Sequence, residues 1–131
     1  MAKNTSQFEY LVISRGQWDS DLPQDEIQHA IDDFYAWYEQ LLEEGKIKAG
    51  QRLAKEGKIV SKQQVTDGPF SETKEIIGGY WFFLAGSLEE AVELAKGNPC
   101  LARGLINEIR PIDPARASAF EVISETPLQS S

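Results

Sequence analysis

Ile76-Ile77-Gly78-Gly79-Tyr80-Trp81-Phe82-Phe83-Leu84 is the most apolar run in the chain, and its reading decides the fold. It is short and rich in aromatic and β-branched residues, which predicts a strand. The glycine pair inside it predicts a bulge or the close approach of another backbone. Alternate residues of a strand face opposite sides, so Trp81 with Phe83 and Tyr80 with Phe82 form two separate sets. One set is expected to meet helices, and the other a second copy of the chain or a ligand cleft.

The elements on either side supply those helices. Downstream, Ser87 and Glu90 have the spacing of a capping box ahead of Leu88, Ala91, Val92 and Ala95, and Gly97-Asn98-Pro99 predicts the end of that helix. Upstream, Ile27, Ile31, Phe34, Tyr38 and Leu41 recur at helical spacing between Gln24 and Glu44, flanked by Ala30, Trp37 and Leu42. Pro23 suits the first turn of this helix, Asp21 with Gln24 resembles a capping box, and Gly45 is a natural stop. Strands are expected at Phe8 to Ser14, Ile47 to Ala54, Lys58 to Thr66 and Ile106 to Ile112, with Phe120 to Ser124 as one more. Glu56-Gly57 would turn the second into the third, and Asp67-Gly68-Pro69 would break regular structure.

The order β-α-β-β(-β)-α-β-β is that of a ferredoxin-like split βαβ, an α+β fold with helices on one face of an antiparallel sheet. The other face would then carry apolar side chains with no cover. A two-fold homodimer is the simplest remedy. One domain over residues 8–125 is expected, with residues 1–7 and 126–131 as flexible termini.

Composition bounds the function. At 131 residues the chain fits one domain with enough core to fold without a disulfide or structural metal. The single cysteine, Cys100, excludes an internal disulfide and favours a reducing compartment. The polar start of the chain and the lack of a long apolar run predict a cytoplasmic protein without membrane contact. Acidic residues outnumber basic ones by 21 to 13, a net charge of −8, which disfavours direct contact with nucleic acid. With one His and one Cys, no zinc site of ordinary composition fits in one chain, and no glycine-rich phosphate loop stands between a strand and a helix, so no metal or cofactor is expected.

The segment Asp67-Gly68-Pro69-Phe70-Ser71-Glu72-Thr73-Lys74-Glu75 resembles the DGPF signature of the YCII-related family. The likeness continues through Gly78-Gly79-Tyr80 and Glu90-Ala91 with Ala95, and takes in Gln51-Arg52-Leu53 and the opening strand, about residues 8–112. It implies a ferredoxin-like α+β domain that dimerises as a barrel. One branch of the family looks like a dehydrochlorinase with a His-Asp pair, its histidine in the first helix. Phe34 stands at about that position here, and the only histidine, His29, lies opposite the apolar stripe, so that mechanism does not carry over. Members of the DGPF branch are often encoded beside sigma-like transcription factors, which hints at regulation.

The candidate site residues each have two readings. Asp67 is a turn residue or a general base. Glu72, Lys74 and Glu75 are a solvated, salt-bridged loop, or carboxylates dividing acid and base roles with a lysine for a ligand. Arg52 pins that loop by pairing Asp67 or Glu75, or binds an anionic ligand in bidentate fashion. Phe70 is an apolar anchor or, with Tyr80, a stacking surface for a ligand. Ser71 and Lys74 have the spacing of some acyl-transfer sites but lack the companion motifs, and Cys100 reads as a packing residue. Two functions follow: a small-molecule-binding or regulatory homodimer, or a lyase- or isomerase-like enzyme acting on a small aromatic acid with Asp67 or Glu75 as base.

Overall fold

The computed structural model describes residues 7–62, 65–67 and 76–128. In chain order the elements are strand β1 (Phe8–Arg15), helix α1 (Gln24–Glu43), strands β2 (Ile47–Arg52), β3 (Lys58–Val60), β4 (Val65–Asp67) and β5 (Ile77–Ala85), helix α2 (Leu88–Ala95), a 3-10 turn (Pro99–Arg103) and strand β6 (Ile106–Pro111). Four strands make one sheet in the order β2-β5-β1-β6, every neighbouring pair antiparallel. The protein is therefore α+β, and this strand order is compatible with two interleaved βαβ units. Among the described residues no helix is long and apolar enough to cross a membrane.

The two sides of β5 part as the alternation predicts. Trp81, Phe83 and Ala85 are buried with Tyr10 and Val12 of β1, against Leu41 of α1 and Ala91 and Ala95 of α2. The expected α1 stripe is in place, with Ala30 at its buried centre rather than on its flank and Phe34, Trp37 and Tyr38 packed on the same core. On the other side Leu11, Ile13, Tyr80, Phe82 and Leu84 stay partly exposed. They form an apolar strip two strands wide. By register its rims are Lys48 and Gln51 on one edge and Glu108 and Arg110 on the other. Glu9 and Lys48 pair at 3.1 Å across it, and Arg15 and Glu108 pair at 2.6 Å.

The caps explain where the helices stop. Gly45, at φ 75°, lets Lys46 N–H reach the Leu41 carbonyl and Gly45 N–H reach that of Leu42, a Schellman ending. Ser87 Oγ accepts from Glu90 N–H at 3.1 Å while Glu90 Oε1 accepts from Gly86 N–H at 2.9 Å, so the expected box forms with its return bond one residue early.

Three expectations need correction. Asp21 does not cap α1: Pro23 holds the cap position with no side-chain hydrogen bond, because its ring already fixes φ at −65°. Lys58 to Thr66 is not one strand of the main sheet. It is two three-residue strands, β3 and β4, paired with each other in a separate hairpin, while β2 pairs with β5. Phe120 to Ser124 is not a strand; it lies among turns and has no sheet neighbour.

Candidate functional site

The geometry near Arg52 starts from a bulge. Between the pairs Lys48–Phe82 and Gln51–Tyr80, β2 uses one residue more than β5. A Cβ on Gly50 would collide with the Tyr80 carbonyl, and one on Gly79 would stand 2.9 Å from the Gln51 carbonyl oxygen, so both strands need glycine where they meet. Gly50 N–H, freed by the bulge, donates to the Tyr38 hydroxyl of α1 at 3.2 Å. The close approach expected of Gly78-Gly79 is thus present, with a glycine of β2 as its unforeseen counterpart.

Arg52, the last residue of β2, sits opposite Gly79; Gly79 sits opposite Ser14, and Ser14 opposite Asn107. These four form one row across the helix side of the sheet, spanning about 14 Å at roughly 4.8 Å per strand step. Gly79 is buried and Ser14 partly buried between Arg52 at one end of the row and Asn107 at the other. Arg52 is exposed and makes no ion pair with another described residue. Tyr80, one residue along β5, belongs to the open side, edge-on to Phe82 at 6.1 Å. Arg52 and Tyr80 therefore share a neighbourhood but not a face. Asp67 closes β4 opposite Lys58, with its side chain outside the described atoms, and Phe70, Glu72, Lys74 and Glu75 lie outside the described residues.

The end of this row, the next row and the 3-10 turn bring in groups that sequence reasoning missed. Trp81 is 5% exposed, with the rings of Phe34 and Tyr38 at 5.4 and 5.8 Å, yet its Nε1 has no hydrogen-bond acceptor. Asn107 accepts from buried Asn98 at 2.9 Å, but its own Nδ2 is buried and unpaired. Arg103 Nε is also unpaired, 3.6 Å from a Glu26 carboxylate oxygen, too long for a hydrogen bond. All three are N–H donors. A buried donor left without a partner costs roughly 1–3 kcal/mol. Nothing in the sequence marks them, since an unmet donor is a property of tertiary surroundings.

Among the titratable groups, Cys100 and Glu108 depart from their ordinary values. Burial pushes the Cys100 thiol up to about 11, against the pull of Arg103. The Asn98 side chain holds Cys100 N–H at 2.9 Å, so this cysteine packs the turn, as expected. Hydrogen bonding from Arg15 holds the Glu108 carboxyl below the usual range. His29 is exposed on α1. No group of three or more His, Cys, Asp or Glu that could hold a metal ion occurs among the described residues.

No curated protein matches the chain. A family model of the YCII-related domain matches residues 9–115, from the opening strand past the last, and takes in both β5 and the segment that follows β4. On that match, the chain belongs to the YCII-related domain family.

Proposed function

We propose that this protein is a small-molecule-binding homodimer, the sheets of two copies closing face to face into an α+β barrel, with a small organic acid as ligand. The observation that carries the binding reading is the pair of buried N–H donors, Trp81 Nε1 and Asn107 Nδ2, that have no hydrogen-bond partner among the described residues. Donors without acceptors suit a carboxylate, and the rings of Phe34 and Tyr38 beside Trp81 suit an aromatic body. Arg52, in the row that ends at Asn107, supplies the positive charge. Asp67 ends β4, and the signature segment through Glu75 continues from it in the chain. Binding rather than turnover is favoured because Cys100 keeps its proton up to about 11 and His29 is exposed. The face-to-face dimer is supported by the apolar strip with charged rims, the anatomy of an interface core and rim.

The test is a thermal-shift titration with benzoate, salicylate and inorganic phosphate. Aromatic carboxylates are expected to raise Tm in step with their concentration, as any ligand of the folded state must. Trp81→Phe is expected to weaken that shift at least fivefold in apparent affinity. A flat Tm up to about 10 mM of every probe, a concentration at which a ligand with a dissociation constant of about 0.1 mM stabilises by about 2.7 kcal/mol, would overturn the reading.

A further inference from the structure

We infer that Asn98 is a positioning residue of the ligand site: it turns the Asn107 amide so that its NH2 end is presented, and so sets the site to prefer a carboxylate over a carboxamide. The inference rests on the binding reading above and adds to it the residue that fixes which chemistry the site selects. Among the described residues Asn98 is the one buried polar side chain, 5% exposed. It precedes Pro99, which favours the extended conformation found, φ −71° and ψ 115°, at the cap position of the 3-10 turn. Its own N–H donates to the Ala95 carbonyl at 3.0 Å, and its carbonyl accepts from Leu101 N–H at 3.2 Å. The same turn is anchored to α1, where Cys100 Sγ lies 3.8 Å from the Ala30 carbonyl oxygen. The backbone of Asn98 is thus held on both sides.

A side-chain amide has one end that accepts and one that donates, and its partners decide which end points where. Here that choice passes along three groups. Cys100 N–H is a backbone donor and can meet only an acceptor, so the Oδ1 end of Asn98 faces it, at 2.9 Å. The Nδ2 end of Asn98 is left for Asn107, and it donates to Oδ1 there at 2.9 Å. Asn107 is thereby turned with its Nδ2 end away from Asn98, and that end is buried without a partner among the described residues. Asn107 stands opposite Ser14 in the row that ends at Arg52, next to the row of Trp81. In this orientation Asn107 and Trp81 both offer N–H donors. A carboxylate has only acceptors and suits them, whereas a carboxamide brings a further donor.

The experiment is a thermal-shift titration of the full chain with benzoate and with benzamide. It compares the wild type, Asn98→Ser and Asn98→Asp, and circular dichroism checks each fold. Serine caps a turn as asparagine does but is too short to reach Asn107, so the amide is released without added charge. Aspartate keeps the shape and accepts from Cys100 N–H, but it also takes a donor from Asn107, which turns over and presents its oxygen. The ratio of benzoate to benzamide affinity is expected to fall about fivefold in Asn98→Ser, the order of one hydrogen bond. It should fall further in Asn98→Asp, where benzamide binds more tightly than to the wild type. A general loosening of the structure weakens both probes and leaves the ratio unchanged, so the ratio separates positioning from support. A wild type that responds to neither probe would overturn the binding reading and this inference together. A wild type that binds benzoate no better than benzamide, or a ratio unchanged in either folded variant, would overturn this inference alone. Failure of both variants to fold would make Asn98 a structural residue and overturn it as well.

Discussion

Gly50 and Gly79 face each other across the seam between β2 and β5, and the seam closes only because neither has a Cβ. Gly50→Ala is expected to cost about 3 kcal/mol, the upper range for overpacking, because the atom it would strike belongs to backbone. Urea denaturation measures this directly. Gly79 could be suspected from sequence, as one of two glycines inside an apolar strand. Gly50 could not, because its need arises from a strand far along the chain. Cys100 gives a pH prediction. Its thiol ionises at about 11 in the folded chain against 9.0 ordinarily. The folded state thus holds a proton that the unfolded state releases, and stability from this group is whole below pH 9.0 and lost as pH rises toward about 11. Thiolate absorbance should rise near pH 11 in the native protein and near 9 in denaturant. His29→Ala should change stability by less than about 0.5 kcal/mol, since the side chain is exposed; a larger loss in the same denaturation series would show a contact that exposure does not reveal.

At the level of elements, the caps decide where the chain turns. Ser87→Ala removes the acceptor for Glu90 N–H and should cost about 1 kcal/mol, read as a lowered Tm. This cap was legible because Ser, three residues on Glu, and then an apolar stripe satisfy separate rules that agree. Both helices were legible from their apolar periodicity, and the strands of the main sheet from β-forming runs bounded by turn residues, Ile106 to Ile112 less clearly because its alternation is poor. β3 and β4 were not legible as two strands, because Lys58 to Thr66 is unbroken by glycine or proline. Phe120 to Ser124 has strand composition without a strand, because Phe120 and Val122 find no neighbouring strand in their own chain. Strand propensity measures fit to a sheet surface, and the sequence of one segment does not say whether that surface exists. The candidate site divides along the same line. Arg52 was nameable from sequence as a cation of β2, while Trp81 Nε1 and Asn107 Nδ2 became visible only once their surroundings were in place.

For the whole molecule, the two sides of the sheet divide the work. The helix side holds the core and the unpaired donors, and the open side holds a strip with charged rims. Leu11→Glu puts a charge at the centre of that strip and leaves the core on the other side untouched. Light scattering at micromolar concentration is expected to show a dimer for the wild type and a monomer for this variant, with the far-ultraviolet spectrum of both alike. A dimer that survives the substitution would place the interface elsewhere.

The place of β1 has a consequence for synthesis. It is an inner strand, yet both of its partners, β5 and β6, come from the far half of the chain. On the ribosome β1, α1 and β2 emerge before either partner exists. At roughly 5–20 residues per second, the wait for β5, the first partner to emerge, lasts on the order of 4–14 s. During that time Tyr10 and Val12, which the native sheet buries, have no strand to pair with. The sheet therefore closes late in translation, and a pause after β2 would lengthen the interval in which the nascent chain depends on a chaperone.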